Sequence, residues 1–271
     1  QFVNKEFQLN DQVAVVTGAL GKLGPVWVEA LLDAGAHVAA LDLPGTLPSS
    51  GFKTLESRFG ERLKCYDCDI TNRESISSVS SSLVNDLGEA TILVNNAGVD
   101  QPPDSDGNRS VIHDLSIDQM RHMVEVNFLG TLQVIQIIGS RMVLLGTGSI
   151  INIGSVYASV SPDQRFYDHL SGNLPFLKSP AYGASKAGVV NLTKYFATLW
   201  GSKGVRVNTL SPGGVLGEQD KQFKEKYTSR VPLGRMAQTD DLKGPLIFLA
   251  SRASAYVTGH DLAVDGGFTA W

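Results

Sequence analysis

From Val13 onward, short apolar runs rich in β-branched residues alternate with longer amphipathic stretches. Repeated strand-helix-strand units pair their strands in parallel, so this rhythm predicts an α/β fold: a doubly wound parallel sheet of about seven strands, Rossmann-like, with helices on both faces. Strands are expected at Val13 to Thr17, His37 to Leu41, Leu63 to Cys68, Ile92 to Asn95, Ser149 to Ile153, Arg206 to Leu210 and Asp261 to Val264. Helices are expected from about Pro25 to Ala34, Ile117 to Leu145, Ala181 to Trp200 and Asp240 to Ala250, the last with Thr239 as its N-cap. Residues 100–114 and 160–180 are polar and studded with Pro, Gly, Ser and Asp, and read as loops. A chain of 271 residues suits a single domain of this class.

A net charge of −4 offers no basic face to nucleic acid or anionic lipid, which points to a small-molecule partner. No window approaches the roughly 18 uninterrupted apolar residues of a membrane span, and the first residues lack the apolar centre of a signal peptide. A cytoplasmic protein with no membrane partner is the expectation. The five histidines are scattered without ligand spacing, so no metal is expected. Cys65 and Cys68 form a C-x-x-C on a strand, where residues three apart face opposite sides. They are read as free thiols, neither a redox pair nor half of a zinc site.

Two clusters carry chemistry. Val13 to Val16 runs into Thr17-Gly18-Ala19-Leu20-Gly21-Lys22-Leu23-Gly24 and then a helix with Pro25 in its first turn. A glycine turn between strand and helix lets backbone amides approach a pyrophosphate. At the end of the second strand, Asp42 can accept hydrogen bonds from both adenosine ribose hydroxyls and repel a 2′-phosphate, which favours NAD, with NADP the lesser expectation. Lys22 is a mild counter-argument. The second cluster is Tyr182 and Lys186, which share one helix face at i and i+4. A cation beside a phenol favours the phenolate and is expected to pull its pKa toward neutrality.

These features keep company with Asp69-Ile70, Asn95-Asn96-Ala97-Gly98, Asn127, Ser155, Asn208, Ser211-Pro212-Gly213 and Val264-Asp265-Gly266-Gly267. In that order and over nearly its whole length, the chain resembles the short-chain dehydrogenase/reductase family. The resemblance implies hydride transfer between a nicotinamide and an alcohol or ketone carbon. Tyr182 would be the general acid/base, Ser155 would orient the substrate oxygen, and Lys186 would hold the nicotinamide ribose and lower the Tyr182 pKa. Asn127 would position a water that links Lys186 to solvent, on a helix kinked around it. The cofactor would meet Gly18, Gly21, Lys22, Leu23 and Gly24 at the turn, Asp42, Asp69 and Ile70 at the adenosine, Asn96 to Gly98 with Ala97 beside it, and Pro212, Gly213 and Val215 at the carboxamide.

The chain departs from the family in two places. The usual G-x-x-x-G-x-G keeps Gly18 and Gly24 but has Gly21 and Lys22 between them. Between Ser155 and Tyr182 lie 26 residues, about twice the usual spacing. This insert is expected to project over the active site, with Arg165 and His169, together with Tyr157 and Ser155, reading a hydroxylated substrate such as a sugar, polyol or hydroxy acid. The insert and the ending Asp265-Gly266-Gly267-Phe268 also resemble a subgroup of sugar metabolism. Family members commonly form tetramers through two long helices, here 117–145 and 181–200, so a homotetramer or homodimer is expected. Reduction of C=N or C=C bonds, epimerisation, and a non-catalytic dinucleotide-sensing scaffold are the competing functions.

Overall fold

Every side chain of β1 (Val13–Thr17) is buried, and alternate residues go to opposite sides. Ala14 and Val16 join one apolar cluster with Trp27 and Leu31, while Val13 and Val15 join a second with Ile135 and Ile138. A strand buried on both faces needs helices above and below it, which parallel connections supply. In the computed structural model, which describes residues 5–101, 111–170, 174 and 176–271, this is the arrangement of the inner strands, while the edge strands Leu63–Asp67 and Asp261–Val264 are partly exposed.

The other strands are β2 (His37–Asp42), β3 (Leu63–Asp67), β4 (Ile92–Asn95), β5 (Gly148–Ile153), β6 (Val205–Pro212) and β7 (Asp261–Val264). They form one seven-stranded sheet in the order β3-β2-β1-β4-β5-β6-β7. All neighbours are parallel, with Val15 opposite Ala39 on one side and Leu93 on the other. Helices α1 (Gly24–Asp33) and α2 (Ser50–Phe59) cover one face. The other is covered by α3 (Arg73–Leu87), the long α4 (Ile117–Leu145) and α5 (Pro180–Trp200). The short α6 (Lys221–Thr228) precedes α7 (Thr239–Ala250), which returns to the first face. Strand order reverses between β1 and β4, and the crevice this opens at the carboxyl ends of the strands is where such sheets bind ligands.

Differences from the sequence expectations have local causes. Strand β2 runs on to Asp42 and β3 stops at Asp67. Cys68 follows β3 and is buried, while Cys65 within it is exposed; both are free thiols. Helix α7 begins at Thr239 itself and Gln238 is its N-cap, because Asp241 sits at the third helical position and accepts the Gln238 backbone N–H at 2.7 Å. Helix α4 contains no uninterrupted apolar run of 18 residues, as expected, but by length and composition it is apolar enough to cross a membrane. Polar interruptions such as Asn127 and Gln133 hide it from a search for unbroken apolar runs, yet an 18-residue window has mean hydropathy 1.6. Its Val134, Ile135, Ile138 and Met142 lie in the core against the sheet.

The insert is more ordered than a loop. Gln164–Leu170 forms tight 3-10 turns that bury Phe166 and Tyr167, and Phe176 is buried behind them. These rings pack with Phe223 and Tyr227 of α6 and with Phe268, forming a third apolar cluster outside the two sheet cores. In the other stretch read as a loop, Ile112–Asp114 makes a single 3-10 turn. Residues 102–110 of that stretch, and 171–173 and 175 of the insert, lie outside the described residues.

Candidate active site

The turn after β1 is built for close approach. Gly18 has φ +60°, and a Cβ there would lie 2.7 Å from Ala97 Cα. Asn96 stitches this turn to the end of β4: its Nδ2 donates to Thr17 O at 3.1 Å and Gly18 O at 2.8 Å, and its Oδ1 accepts Trp27 Nε1–H at 2.8 Å. The N-terminus of α1 has no side-chain cap, with Pro25 in its first turn. A helix N-terminus without a side-chain cap suits an anion, which its dipole favours. At the end of β2, Asp42 accepts the Leu20 amide on one carboxylate oxygen and the Leu43 amide on the other, both at 2.8 Å.

A cleft of 570 Å³ runs across these elements. Its walls carry Gly18, Gly21, Lys22 and Leu23 from the turn, Asp42 from β2, and Asp69 and Ile70 from beyond β3. Asn96, Ala97 and Gly98 follow from β4, Ser155 from β5, Tyr182 and Lys186 from α5, and Pro212, Gly213 and Val215 from β6. Gly24 is not on the wall; a Cβ there would lie 2.3 Å from Ala19 O, so it is a packing glycine of the helix start. A cleft with an anchored carboxylate at β2, an uncapped helix end and a glycine turn fits a dinucleotide: ribose hydroxyls to Asp42, diphosphate to the turn and α1.

The reactive groups sit at the start of α5, which is fixed by Pro180 in its first turn and by Ser179, whose hydroxyl accepts the Ala181 N–H at 3.3 Å. Tyr182 and Lys186 are one turn apart, and the Ser155 hydroxyl is close enough to the Tyr182 phenol to favour its ionised form. Lys186 is buried, with Nζ 2.8 Å from Ile153 O and 6.0 Å from the Tyr182 ring centre. Burial pulls its ammonium down to about 8, while the Asp100 carboxylate acts the other way. The Tyr182 phenol is pushed up, chiefly by burial and next by Asp100, with the Ser155 hydroxyl opposing them. The expectation that Lys186 and a bound nicotinamide ring together draw the phenol toward neutrality concerns the cofactor complex; in the chain by itself, desolvation of the phenolate sets the direction.

Asn127 stands behind the wall, in a π-helical turn spanning Glu125–Gly130. Its Oδ1 accepts the Val99 N–H at 2.7 Å, and its Nδ2 donates to Val99 O at 2.9 Å and Ser185 Oγ at 3.1 Å. Thr131 Oγ1 donates to its carbonyl at 2.9 Å. The carboxamide fastens two segments with both its N–H donors and one lone pair of Oδ1.

Three residues expected to read substrate are absent from the cleft wall. Arg165 is exposed and pairs with Asp163 at 2.7 Å. His169 lies 2.8 Å from Asp220 Oδ1 and 3.3 Å from Lys226 Nζ, bracing the insert against α6. Tyr157 stands edge-on to the Tyr182 ring at 6.5 Å, with its phenol bonded to Tyr167. Asp100 is on the wall instead, with the buried Lys178 paired to it. Asp100 lines the cleft two residues past Gly98, where a loop leaving a strand's carboxyl end must face the crevice; that placement could have found it. Lys178 precedes α5, so no helical spacing signalled it.

Glycine turn, β2 carboxylate and Ser-Tyr-Lys group on a doubly wound sheet define an oxidoreductase using a nicotinamide dinucleotide. A family model described as "Enoyl-(Acyl carrier protein) reductase" matches residues 18–269. D-threitol dehydrogenase of Mycolicibacterium smegmatis is 33% identical over 98% of this chain and 96% of its own. The 2-dehydro-3-deoxy-D-gluconate 5-dehydrogenase of Bacillus subtilis is 32% identical over 98% of both. Among solved structures, a short-chain dehydrogenase from Leptospira borgpetersenii with bound NAD+ is 35% identical over 98% of this chain and 95% of its own, at a TM-score of 0.83. A gluconate 5-dehydrogenase from Burkholderia cenocepacia in complex with NADP and tartrate is 29% identical over 99% of both, at 0.84. The chain belongs to the short-chain dehydrogenase/reductase family, and it is an enzyme acting on alcohol carbons.

Proposed function

We propose that this enzyme is an NAD-linked dehydrogenase of a small polyol or sugar, with Tyr182 as its general acid/base. The observation that carries the cofactor choice is the Asp42 carboxylate, held by the amides of Leu20 and Leu43 on the cleft wall. Placed there, it accepts from ribose hydroxyls and repels a 2′-phosphate. The bound dinucleotide supplies the hydride acceptor or donor. The rest of the chemistry is orientation and proton management by the chain. Ser155 holds the substrate oxygen, and Tyr182 removes the hydroxyl proton in oxidation and returns it in reduction. Lys186, fixed on Ile153 O, places a cation on the same helix face, which favours the phenolate against the opposing effects of burial and Asp100. Asn127 positions the Val99 segment and α5 from behind.

The family-model description favours a second reading, reduction of a C=C bond. Product analysis separates the two. The outer faces of α4 and α5 expose Leu129, Leu144, Tyr195 and Leu199, which supports association into a homodimer or homotetramer through these helices. We place the enzyme in the cytoplasm, with its nicotinamide pool.

The test is fluorescence titration with NADH and NADPH, followed by a screen of polyols and sugars for NAD reduction. Tight NADH binding, weak NADPH binding and turnover lost in Tyr182→Phe are the expected results. Tighter NADPH binding would overturn the cofactor assignment, and full turnover in Tyr182→Phe would overturn the role of Tyr182.

A further inference from the structure

A polyol and a sugar acid of the same length differ by one carboxylate, so the charge that the pocket turns toward its substrate decides between them. Two lysines approach the Tyr182 ring, and both are committed elsewhere. Lys186 Nζ is buried against Ile153 O at 2.8 Å. The Lys178 side chain is 6% exposed, with Nζ 2.6 Å from Asp100 Oδ2, 3.4 Å from Gln101 O and 5.5 Å from the Tyr182 ring centre. A carboxylate, a carbonyl and a ring face use its three donors. Lys178 cannot meet a substrate carboxylate without giving up a buried contact, and Lys186, which lines the cleft with one donor on Ile153 O, is the lysine assigned to the nicotinamide ribose.

Asp100 is placed differently. Its side chain is 40% exposed and lines the same cleft as Ser155 and Tyr182. Within the chain its Oδ1 accepts the Gln101 amide at 2.7 Å, and Oδ2 accepts from Lys178. Among the described residues these are its hydrogen bonds, which leaves each carboxylate oxygen a further lone pair for a hydroxyl donor. The charge exposed beside the reacting group is thus negative, and its counter-charge is buried behind it.

We propose that Asp100, held in place by Lys178, is a specificity-determining residue that accepts hydrogen bonds from uncharged polyhydroxy substrates and turns away sugar acids. This inference rests on the polyol and sugar reading above. Hydroxyl donors gain a charge-assisted bond at Asp100, whereas a second carboxylate within several ångströms in a partly desolvated cleft is repelled. Lys178 is a positioning residue: it fixes the carboxylate and offsets part of its charge.

The readout is the ratio of kcat/KM for a four-carbon tetritol to that for the tetronate of the same configuration. Removing the Asp100 charge also changes the ionisation of Tyr182. Both substrates lose their proton to that phenol, so this change cancels in the ratio. The wild type is expected to favour the tetritol. Asp100→Asn keeps the shape and a hydrogen-bonding oxygen, and is expected to lower the ratio about tenfold or more, mainly through KM for the acid. Lys178→Met, which leaves the Asp100 charge uncompensated, is expected to raise it. Tetronate binding to the NADH-saturated enzyme, followed by fluorescence, is expected to tighten about tenfold in Asp100→Asn. A wild type that prefers the acid, or a ratio and tetronate affinity unmoved by Asp100→Asn, overturns the inference while leaving the dehydrogenase reading intact. A wild type that binds NADH yet turns over neither substrate overturns the polyol reading and this inference with it.

Discussion

Replacing Gly18 by alanine tests whether the turn after β1 is as tightly built as its geometry says. The backbone at φ +60° costs an L-residue roughly 1–2 kcal/mol. The new Cβ would stand 2.7 Å from Ala97 Cα, 3.0 Å from Ala97 N and 3.2 Å from Ala97 Cβ. Ala97 cannot easily withdraw, because its N–H is bound to Thr17 Oγ1 at 3.1 Å and Asn96 beside it is tied to the turn. Overpacking against fixed backbone adds roughly 1–3 kcal/mol. The total, about 2–5 kcal/mol, corresponds to a fall in Tm of roughly 4–20 °C for a chain of this size. Gly45→Ala is the control, since Gly45 has φ +81° but nothing within 4 Å of its added Cβ, and so feels the backbone term alone. Thermal melts of the three proteins, with and without NADH, separate the contributions. The Gly18 variant is expected to melt below the control and to lose most of the NADH-induced shift, because the turn amides move with Ala97. Equal melting of the two variants, or an undiminished NADH shift in Gly18→Ala, would refute the close-approach argument.

Asn127→Ala removes three side-chain hydrogen bonds and strands the half-buried Val99 peptide, with an expected loss of about 2–4 kcal/mol in urea unfolding; a loss under about 1 kcal/mol would show that Asn127 does not fasten this wall. Asp42→Ala is expected to weaken NADH binding and strengthen NADPH binding, reversing or erasing the preference by about tenfold or more, and unchanged affinities would sink the role given to this carboxylate. Lys186 is pulled from 10.5 down to about 8 in the folded chain, so between those values the unfolded chain holds more protons. Its contribution therefore makes the unfolding free energy rise with pH across that window and fall as pH drops through about 8. The slope difference between wild type and Lys186→Met isolates this effect, and parallel pH profiles would contradict the burial of an ionisable amine there.

The strands were legible because parallel strands buried on both faces are unbroken apolar runs, as in Val13-Ala14-Val15-Val16. The cofactor wall was legible for a related reason: Gly18, Asp42, Asn96 and Pro212 all lie at or just past the carboxyl ends of their strands, where the topology leaves no choice of direction. The substrate side was not. Arg165 and His169 looked like reading heads because they are polar and lie in the insert, but the insert's direction is set by Phe166, Tyr167 and Phe176 finding rings on α6 and Phe268, contacts remote in sequence. Those aromatics bury one side of the insert and leave Arg165 in solvent and His169 against Asp220. The effect of burial on the Tyr182 phenol was not legible for a similar reason, since spacing shows which charge is near but not how much water has been removed.

The aromatic cluster of the insert also bears on how this enzyme fails. Phe268 stacks on Tyr227 at 4.9 Å, and the Tyr227 hydroxyl accepts the Gly214 amide at 2.5 Å, at the end of the cofactor wall. The insert and the Gly214 end of the cofactor wall thus hang on a small core of their own, separate from the two that hold the sheet. Small cores of this kind open locally at a lower free energy than the whole fold. Heat is therefore expected to loosen this end of the site, and turnover with it, before the sheet melts, so that inactivation runs ahead of unfolding.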